Sequence, residues 1–424
     1  MNALFILSTF FFLIFMKVPI AFAMLLASGI SLYVLNLGPL TAVPAAAMNA
    51  LFSFPLLTIP FFIFAGSIMA KGGMARKLCV WCGTIFNRFR GGPGYVAVAS
   101  SVLFSTMTGS ASATCASIGQ MMLPEMEKSG YRRPRALAVI ASGGVLGPVI
   151  PPSVMFVLYG VASGGVSITS LFMAGIIPGI LLGLLLCVTV YLVAKKDGME
   201  AEGGKFSASL YFRTMWDAKW AIMTPGIILG GIYSGIFTPT EAGAVASVFA
   251  IIVTVFIEKS LDWKGLISCA ADSAVTGAII FLLISAAGVF GRVLTLAQVP
   301  QQVTEGILGI AQHPWQALLL INIVLLLLGC VMDGAAAIII LTPLLLPVAT
   351  YFGIDPIHFG LIICLNLSLS AVTPPVGTAL FVSALIGETP LEKVVKEIWP
   401  FIGALFLGLL LINAVPWFSL ALIR

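Results

Sequence analysis

Charged residues are scarce in this sequence. Only 9% of its 424 residues are Asp, Glu, Lys or Arg, and only two are histidine. Soluble domains carry about 25% charged residues, so a soluble globular protein is excluded. The chain also lacks GxxxxGK[ST], HExxH and GxSxG motifs, so ATP hydrolysis and hydrolytic catalysis lack their usual residues. We expect a protein that is not an enzyme and that uses no cofactor.

Cysteine is scarce as well. The seven cysteines lie mostly in apolar runs, where a thiol behaves as a small hydrophobe, so no disulfide framework is indicated. Cys79 and Cys82 form one CxxC motif without a second pair or a nearby histidine, which argues against metal or redox chemistry. The net charge of +5 rests on so few charges that it reflects loop topology rather than a nucleic-acid surface.

Apolar residues, in contrast, make up 60% of the chain. A spanning helix needs about 20 of them, which leaves room for roughly ten spans and predicts an all-α polytopic membrane protein. The expected spans are 2–16, 18–37, 55–70, 136–165, 168–194, 219–237, 238–257, 273–291, 359–386 and 398–420. The first run resembles a signal peptide but has no positive charge before it and Lys17 after it, so we interpret it as a retained span.

Lys and Arg occur in blocks that mark cytoplasmic segments under the positive-inside rule. The blocks are Lys71 to Arg90, Lys128 to Arg135, Lys195 to Lys219, Lys259 to Lys264, and Lys393 to Lys396. With the ten spans, they predict periplasmic N- and C-termini and a cytoplasmic linker at 195–218.

Two apolar segments fit no simple span. Segment 91–127 has basic residues at both ends and a small, hydroxyl-rich middle at 108–114, which predicts a re-entrant hairpin rather than a lipid-facing helix. Two full spans joined by a short outer turn remain the alternative. Segment 316–350 repeats the arrangement, but its flanks 293–315 and 351–358 contain no Lys or Arg. We therefore expect this second hairpin to enter from the opposite side.

The two halves of the chain are related. A shift of 223 residues places Pro151-Pro152 on Pro374-Pro375 and Ser110 on Asp333. Five spans per copy is an odd number, so the second copy must be inverted. We predict a first repeat at 1–194, with hairpin 91–127 and broken helix 136–165. The linker at 195–218 and a second repeat at 219–424, with hairpin 316–350 and broken helix 359–386, follow it.

Each copy breaks a helix at its double proline. A proline removes its own N–H bond to the carbonyl four residues back, so the carbonyls of Gly147, Pro148, Ser370 and Ala371 are predicted to lose their helical partners. An alkali cation held by carbonyls and hydroxyls would satisfy them. The available hydroxyls are those of Ser110, Ser112, Thr114, Thr373 and Thr378. Two kinked helices sealed by their neighbours remain the alternative.

Few ionisable or amide residues lie inside the spans. Asp333 is the sharpest signal, because a carboxylate in an apolar run costs about 2.5–3.5 kcal/mol on insertion scales and should face a cavity or a partner. Asn366 lies on the second broken helix, and we interpret it as a site or supporting residue rather than a plain interhelical hydrogen bond. For Arg292 and Glu241, near the outer ends of their spans, snorkelling or a structural ion pair remains an alternative to function.

Several longer motifs carry a family resemblance. They are GSASATCASIGQMMLPEM, GVLGPVIPPS, VMDGAAAIIILTPLLLP, GIDPIHFG, TPPVGTALF, IPFFIFAGSIMA and FTPTEAGA. On these motifs the sequence resembles the large membrane subunit of TRAP transporters, the tripartite ATP-independent periplasmic family. The resemblance implies an inner-membrane, sodium-coupled importer of a dicarboxylate, keto acid or sugar acid that works by an elevator motion. It also implies a small four-span membrane subunit and a periplasmic substrate-binding protein as partners.

The resemblance also assigns site residues. It implies one sodium site at Ser110, Ser112, Gly147 and Pro148, and a second at Asp333, Ser370, Thr373 and Gly377. Substrate would lie between the hairpin tips, near Ser110, Thr114, Asn366, Thr378 and Arg292. A passive channel built from inverted repeats, without ion coupling, is the alternative function, and an intramembrane enzyme is disfavoured because the catalytic pairs are absent.

Overall fold

The protein is helical throughout the computed structural model, which describes residues 2–201, 206–375 and 377–423. No strand occurs in these ranges. The α-helices are α1 (Asn2–Phe15), α2 (Ile20–Val34), α3 (Ala42–Leu51), α4 (Thr58–Lys71), α5 (Met74–Phe86), α6 (Gly92–Thr108), α7 (Ala111–Lys128), α8 (Arg133–Gly144), α9 (Val154–Ala162), α10 (Ile168–Lys196), α11 (Ala208–Asp217), α12 (Lys219–Tyr233), α13 (Pro239–Ile251), α14 (Trp263–Leu296), α15 (Val299–Leu308), α16 (Pro314–Gly329), α17 (Gly334–Tyr351), α18 (Pro356–Ser370), α19 (Thr378–Ile386), α20 (Leu391–Ala414) and α21 (Trp417–Leu420). A 3₁₀ turn at Phe54–Leu57 precedes α4, and a π-helical turn at Ile252–Ile257 continues α13.

Six helical segments within the described ranges are long and apolar enough to cross a membrane. They are Phe54–Lys71, Ile168–Lys196, Pro239–Ile257, Trp263–Leu296, Gly334–Tyr351 and Leu391–Ala414. Helices α1, α2, α3, α16 and α18 are also apolar but shorter. The all-helical, polytopic character is therefore confirmed, while the full set of ten spans remains a prediction.

Several helix bounds differ from the sequence prediction. The predicted span 398–420 is interrupted, because α20 ends at Ala414 and Val415 is extended ahead of Pro416. A residue before proline is pushed out of the helical region by the proline ring. Helices α5, α11 and α15 lie outside the predicted spans and hairpins. Each has only one apolar face, so a search for fully apolar runs does not find it.

The order of elements recurs along the chain. Helices α6 to α10 are followed, about 223 residues later, by α16 to α20, and α7 and α17 have the same length of 18 residues. Residues 145–153 interrupt α8–α9, and residues 371–377 interrupt α18–α19. The inversion of one copy relative to the other stays a prediction. Residues 202–205 of the predicted linker and Val376 of the second break lie outside the described residues, as do the first and last residues of the two predicted repeats.

The helices pack in two groups that cut across the two halves. In the support group (α2, α3, α4, α13 and α14), α4 packs against α13 and α14. The hydroxyl oxygens of Thr58 and Thr240 lie 2.8 Å apart there, and Ser247 donates to the Phe61 carbonyl over 2.9 Å. In the hairpin group (α6 to α10 and α16 to α20), α20 packs against α8 and α10, and α19 against α7 and α8. Each group therefore contains helices from both halves.

An ionic cluster fixes one end of the hairpin group. Arg135, near the start of α8, is buried and donates to Asp197 over 2.8 Å and to Glu397. Arg132 lies 3.8 and 3.5 Å from the same two carboxylates. Since an unpaired buried charge is strongly destabilising, the cluster holds the start of α8 against the end of α10 and the start of α20.

Candidate functional site

A cavity lies between the support group and the hairpin group. Its volume is about 750 Å³, and its lining comes from α4 and α14 on one wall and from α7, α9, α17, α18 and α19 on the other. Both turns that join the hairpin helices, 109–110 and 330–333, reach it. The cavity is therefore the place where the two related halves of the chain meet.

The first hairpin tip is built from close backbone contacts. Gly109 ends α6 with a left-handed φ of 59°, and the extended Ser110 then starts α7. The Ser110 and Ser112 hydroxyl oxygens lie 3.2 Å apart, whereas Thr114 is fully buried with its hydroxyl 2.8 Å from that of Thr108. The two serines therefore face the cavity, and Thr114 faces the partner helix α6.

The first helix break lies directly beneath this tip. A Cβ atom at Gly147 would lie 2.5 Å from the Ser110 carbonyl oxygen, so only glycine permits this approach. The Pro148 carbonyl lacks its helical partner, because the residue four positions on is a proline, but the Ser153 hydroxyl donates to it. No donor to the Gly147 carbonyl occurs among the described residues. The Pro151-Pro152 peptide bond is cis, as is Pro374-Pro375 in the second break.

The second hairpin tip presents a carboxylate instead. Asp333 is exposed, lines the cavity and starts α17 by accepting a hydrogen bond from the Ala335 amide over 3.0 Å. The tip rests on side chains: Cβ atoms at Gly329 and Gly334 would lie 2.3 Å from the Ser370 hydroxyl and 2.2 Å from the Met155 methyl. Only one carboxylate oxygen accepts this hydrogen bond. The other oxygen therefore remains available to the cavity.

The second helix break gives its carbonyls new backbone partners. The Ser370 carbonyl accepts from the Thr373 amide over 3.1 Å, and the Ala371 carbonyl accepts from the Ala379 amide over 2.9 Å. Neither is the helical bond from the residue four positions on, which is a proline in both cases. The carbonyls thus lose their helical partners as predicted, and the chain that folds back across the break replaces them. Gly377 has a φ of 41°, and a Cβ atom there would lie 3.1 and 3.2 Å from the carbonyl oxygens of Ala371 and Thr373.

Half of the predicted site residues line this cavity. The lining residues are Ser110, Ser112, Pro148, Asp333, Ser370 and Thr378, whereas Gly147, Thr114, Thr373, Gly377, Asn366 and Arg292 do not line it. Of the second set, Gly147, Thr373 and Gly377 lie in or beside the two breaks.

Asn366 and Arg292 lie away from the cavity. Asn366 is completely buried and donates to the Asn322 backbone and side-chain oxygens over 3.0 and 2.7 Å, and Asn322 donates to Asn413 over 3.0 Å. These three asparagines, which we call the asparagine chain, join α18 to α16 and α20. Arg292 is exposed on α14. Sequence reasoning preferred a site role for Asn366, whereas the structure shows the interhelical bond that was the alternative.

An ion pair in the cavity was not predicted. Lys71 at the end of α4 lies 2.7 Å from an Asp272 carboxylate oxygen on α14, and both residues line the cavity. Lys71 was assigned to a basic block only, and Asp272 was not considered. Each residue could have been noticed as a charge at the margin of an apolar run. Their pairing could not, because they lie 201 positions apart and no pattern within either segment indicates it.

The donors around the cavity suit a hard cation. They are hydroxyls, carbonyls and the Asp333 carboxylate, which alkali and alkaline-earth ions prefer over the nitrogen and sulfur ligands of transition metals. The described residues contain no group of three His, Cys, Asp or Glu side chains that could hold a metal ion. Cys79 and Cys82 are buried on α5, and burial raises the pKa of Cys79 to about 12 and of Cys82 to about 11. Deprotonated thiolate ligands are thus disfavoured there.

The sequence matches a known family over nearly its full length. The model of the tripartite ATP-independent periplasmic transporter, DctM component, matches residues 7–418. The chain belongs to this family. The resemblance seen in the motifs is thus confirmed, and so is the prediction that this TRAP permease chain is not an enzyme, since the family consists of transporter permease subunits.

Two named relatives support this assignment, and one solved structure shares the fold. The isethionate TRAP transporter permease protein DctMQ of Oleidesulfovibrio alaskensis is 38% identical over 94% of this chain, which spans only 63% of that longer protein. The C4-dicarboxylate TRAP transporter large permease protein DctM of Pseudomonas aeruginosa is 37% identical over 87% of this chain and 86% of its own. The crystal structure of the Alcanivorax borkumensis YdaH transporter covers 90% of this chain and 88% of that one, with a TM-score of 0.64 and 16% identity. The TRAP permease chain is thus a multi-pass membrane protein with a transporter fold.

Proposed function

We propose that this TRAP permease chain is the large membrane subunit of a sodium-coupled secondary transporter that imports a small organic acid across the bacterial inner membrane. The observation that carries the proposal is the cavity into which both hairpin tips project. It holds hydroxyls from Ser110 and Ser112 on one side and the Asp333 carboxylate on the other. A carboxylate within a membrane protein's apolar segment is costly, so Asp333 marks a functional site by default.

Sodium is the coupling ion that the donors favour. The first ion would be held by the Ser110 and Ser112 oxygens together with the Gly147 and Pro148 carbonyls, of which the Gly147 carbonyl has no donor among the described residues. The second would be held by Asp333 and Ser370, with Thr373 and Gly377 from the break. The carbonyls of Ala371 and Thr373 converge on the Gly377 position, and a carbonyl that accepts one hydrogen bond keeps a second lone pair for a cation.

The substrate class follows from the relatives and the cavity size. The two relatives above are named for isethionate and for C4-dicarboxylates, a sulfonate and a group of dicarboxylates, and both are small organic anions. A cavity of about 750 Å³ lies in the range that holds small ligands. Thr378, which is exposed to the cavity, supplies a hydroxyl near the second tip for such an anion.

The architecture suits an elevator motion with two further subunits. The cavity lies between the support group and the hairpin group, so a displacement of one group against the other would carry bound substrate with the hairpins. A small membrane subunit and a periplasmic binding protein complete the transporter. The greater length and the name of the DctMQ relative fit a small subunit fused to a large one.

Reconstituted transport tests this function. The purified chain with its small subunit and loaded binding protein should take up substrate into proteoliposomes only with an inward sodium gradient. Equal uptake with potassium in place of sodium on both sides would exclude sodium coupling and favour the passive channel. Uptake without any binding protein would exclude the tripartite assembly.

Orientation is tested by cysteine labelling. Gln312 and Ser207 are both exposed, so single cysteines at either position should react with a suitable reagent. An impermeant reagent added to intact cells should label Gln312→Cys and spare Ser207→Cys if 293–315 is periplasmic and 195–218 cytoplasmic. Labelling of Ser207→Cys from outside would contradict the inverted repeats and the periplasmic termini.

A further inference from the structure

The wall of the cavity that faces the hairpin tips carries the basic group. Among the described lining residues, the charged ones are Lys71, Asp272 and Asp333. Lys71 is therefore the single positive side chain available to an anion inside the cavity. It belongs to α4 of the support group, whereas the cation donors belong to the hairpin group.

Lys71 lies on the helix that contacts the first hairpin. A Cβ atom at Gly66, on the same helix, would lie 2.9 Å from the Met107 carbonyl and 3.1 Å from Thr108 Cα, so α4 touches the end of α6 there. Lys71 follows five residues later, about 7.5 Å further along the helix axis. Ser67, one turn before Lys71, also lines the cavity, so α4 presents a hydroxyl and an ammonium to the cavity.

The partner of Lys71 is held loosely. The ammonium lies 2.7 Å from Asp272 and 3.1 Å from the Ser268 hydroxyl, and the Lys71 and Asp272 side chains are 42% and 64% exposed. Ion pairs with this exposure contribute little to stability, because water screens them. An anion that reaches the lysine can therefore replace Asp272 at little cost to the fold.

The charges of the cavity favour such a replacement by an anionic cargo. Asp272 and Asp333 both repel an anion. The two sodium ions proposed above would neutralise Asp333 and leave one positive charge, but both would lie on the hairpin side. A lysine that remains paired with Asp272 offers no net positive charge on the support-group wall. An acidic group of the cargo that reaches this wall therefore gains an attractive contact only when the ammonium turns to it, and charge-assisted hydrogen bonds of this kind are the strong ones.

We propose that Lys71 is an anion-binding residue of the cavity, which exchanges Asp272 for the acidic group of the transported acid and returns to Asp272 when the acid leaves. The inference rests on the proposed function, because it takes an organic anion as cargo. It adds a contact on the support-group wall, where the hairpins supply none. Asp272 acts as a competitor that releases the anion rather than as a positioning residue for the lysine.

Protection of a reporter cysteine tests the proposal. Thr276 is exposed, lines the cavity and lies one helical turn from Asp272. Thr276→Cys, in a background without the native cysteines, is modified with an uncharged thiol reagent in sodium buffer. Isethionate and succinate, used as probe anions, should slow the modification, and the uncharged succinamide should not.

Substitutions of the pair then give opposite results. Lys71→Gln should raise the half-protecting anion concentration about tenfold, the size of one charge-assisted hydrogen bond, and Lys71→Arg should largely restore it. Asp272→Asn should lower that concentration, because the competitor is lost. Lys77→Gln is the matched control: Lys77 pairs with Glu258 over 2.5 Å and does not line the cavity, so protection should be unchanged.

Three results would overturn the proposal. They are no protection of the Lys71-containing protein by either anion up to the solubility limit, equal protection in Lys71→Gln, and weaker anion binding in Asp272→Asn. Thermal unfolding of each purified variant shows that it is folded. Failure of sodium coupling in the uptake experiment, with the Lys71→Gln effect intact, would remove the proposed function and leave the anion site. Sodium-driven uptake with no Lys71 effect would remove this inference alone.

Discussion

The two hairpin tips occupy related positions in the chain but are held in different ways. At the first tip, the backbone of one element lies on the backbone of another: a Cβ atom at Gly147 would meet the Ser110 carbonyl, and one at Gly109 would lie 3.0 Å from the Pro152 carbonyl. At the second tip, a Cβ atom at Gly334 would lie 2.2 Å from the Met155 methyl, whereas one at Gly329 would lie 2.3 and 2.7 Å from the Ser370 hydroxyl and Cβ. The Met155 methyl can rotate away, whereas backbone atoms and a Cβ attached to them cannot.

The two tips are therefore not equally constrained, since the first rests on backbone and the second rests in part on a movable side chain. The second tip carries the exposed Asp333, and the first carries the serines at its start. A local displacement at Gly334 therefore costs least, because only the end of the Met155 side chain has to move. Variants at these positions test the contrast.

Gly147→Ala should have the largest effect. The added methyl would press on the Ser110 carbonyl at 2.5 Å, and overpacking of this kind costs about 1–3 kcal/mol. We expect a lower unfolding temperature of the purified protein and loss of uptake. Gly226→Ala is the control, since nothing lies within 4 Å of that position, and it should unfold like the parent protein. Gly334→Ala should fall between them, because the Met155 methyl can move aside, and a drop as large as that of Gly147→Ala would refute the contrast between the tips.

Asp333→Asn should weaken sodium binding while the protein still folds. The carboxylate is exposed to the cavity, so its loss leaves no buried charge unpaired. The amide keeps the shape and one carbonyl, but the contact with a cation loses its charge. We expect at least a tenfold rise in the sodium concentration that half-saturates uptake, since charge-assisted contacts are about twice as strong as neutral ones. An unchanged half-saturation would place the second ion elsewhere.

Ser110→Ala, the related position in the first tip, should be milder. It removes one neutral oxygen, worth about 0.5–1.5 kcal/mol, or up to roughly tenfold in affinity. The same sodium titration of uptake, at matched amounts of protein, measures it. If Ser110→Ala proves more severe than Asp333→Asn, the charged tip does not dominate ion binding, and the comparison is reversed.

Asn366→Leu should have the smallest effect on transport. It breaks the bonds to Asn322, and interhelical hydrogen bonds in membranes average about 0.6 kcal/mol, with a maximum near 1.7. A small fall in thermal stability with unchanged sodium half-saturation is expected, and Asn413→Leu should behave alike because it interrupts the same chain. A large change in substrate affinity with unchanged stability would instead restore the site role first assigned to Asn366.

Local signals located much of the fold. The double prolines at 151–152 and 374–375 marked the two interruptions, and the hydroxyl-rich stretch and Asp333 marked residues that line the cavity. These signals work because proline geometry and the cost of charge in an apolar run act within one segment.

What the sequence could not supply depends on the backbone path at the breaks and on partners distant in the chain. The donors that satisfy Pro148 and Ala371 come from the chain folding back on itself. The Lys71–Asp272 pair joins residues 201 positions apart, and Asn366 meets an asparagine 44 positions away. Helices α5, α11 and α15 bury only one face. Polar residues therefore interrupt their apolar runs, and a search for continuous apolar segments does not detect them.

The mixed packing of the two helix groups has a consequence for biogenesis. Helix α4 relies on α13 and α14, and α8 relies on α19 and α20, all of which are synthesised much later. A nascent chain halted after α10 would expose in the bilayer the faces of α4 and α8 that these later helices cover. Co-translational folding of the N-terminal half alone is therefore incomplete, and final assembly must wait for the last helices to insert.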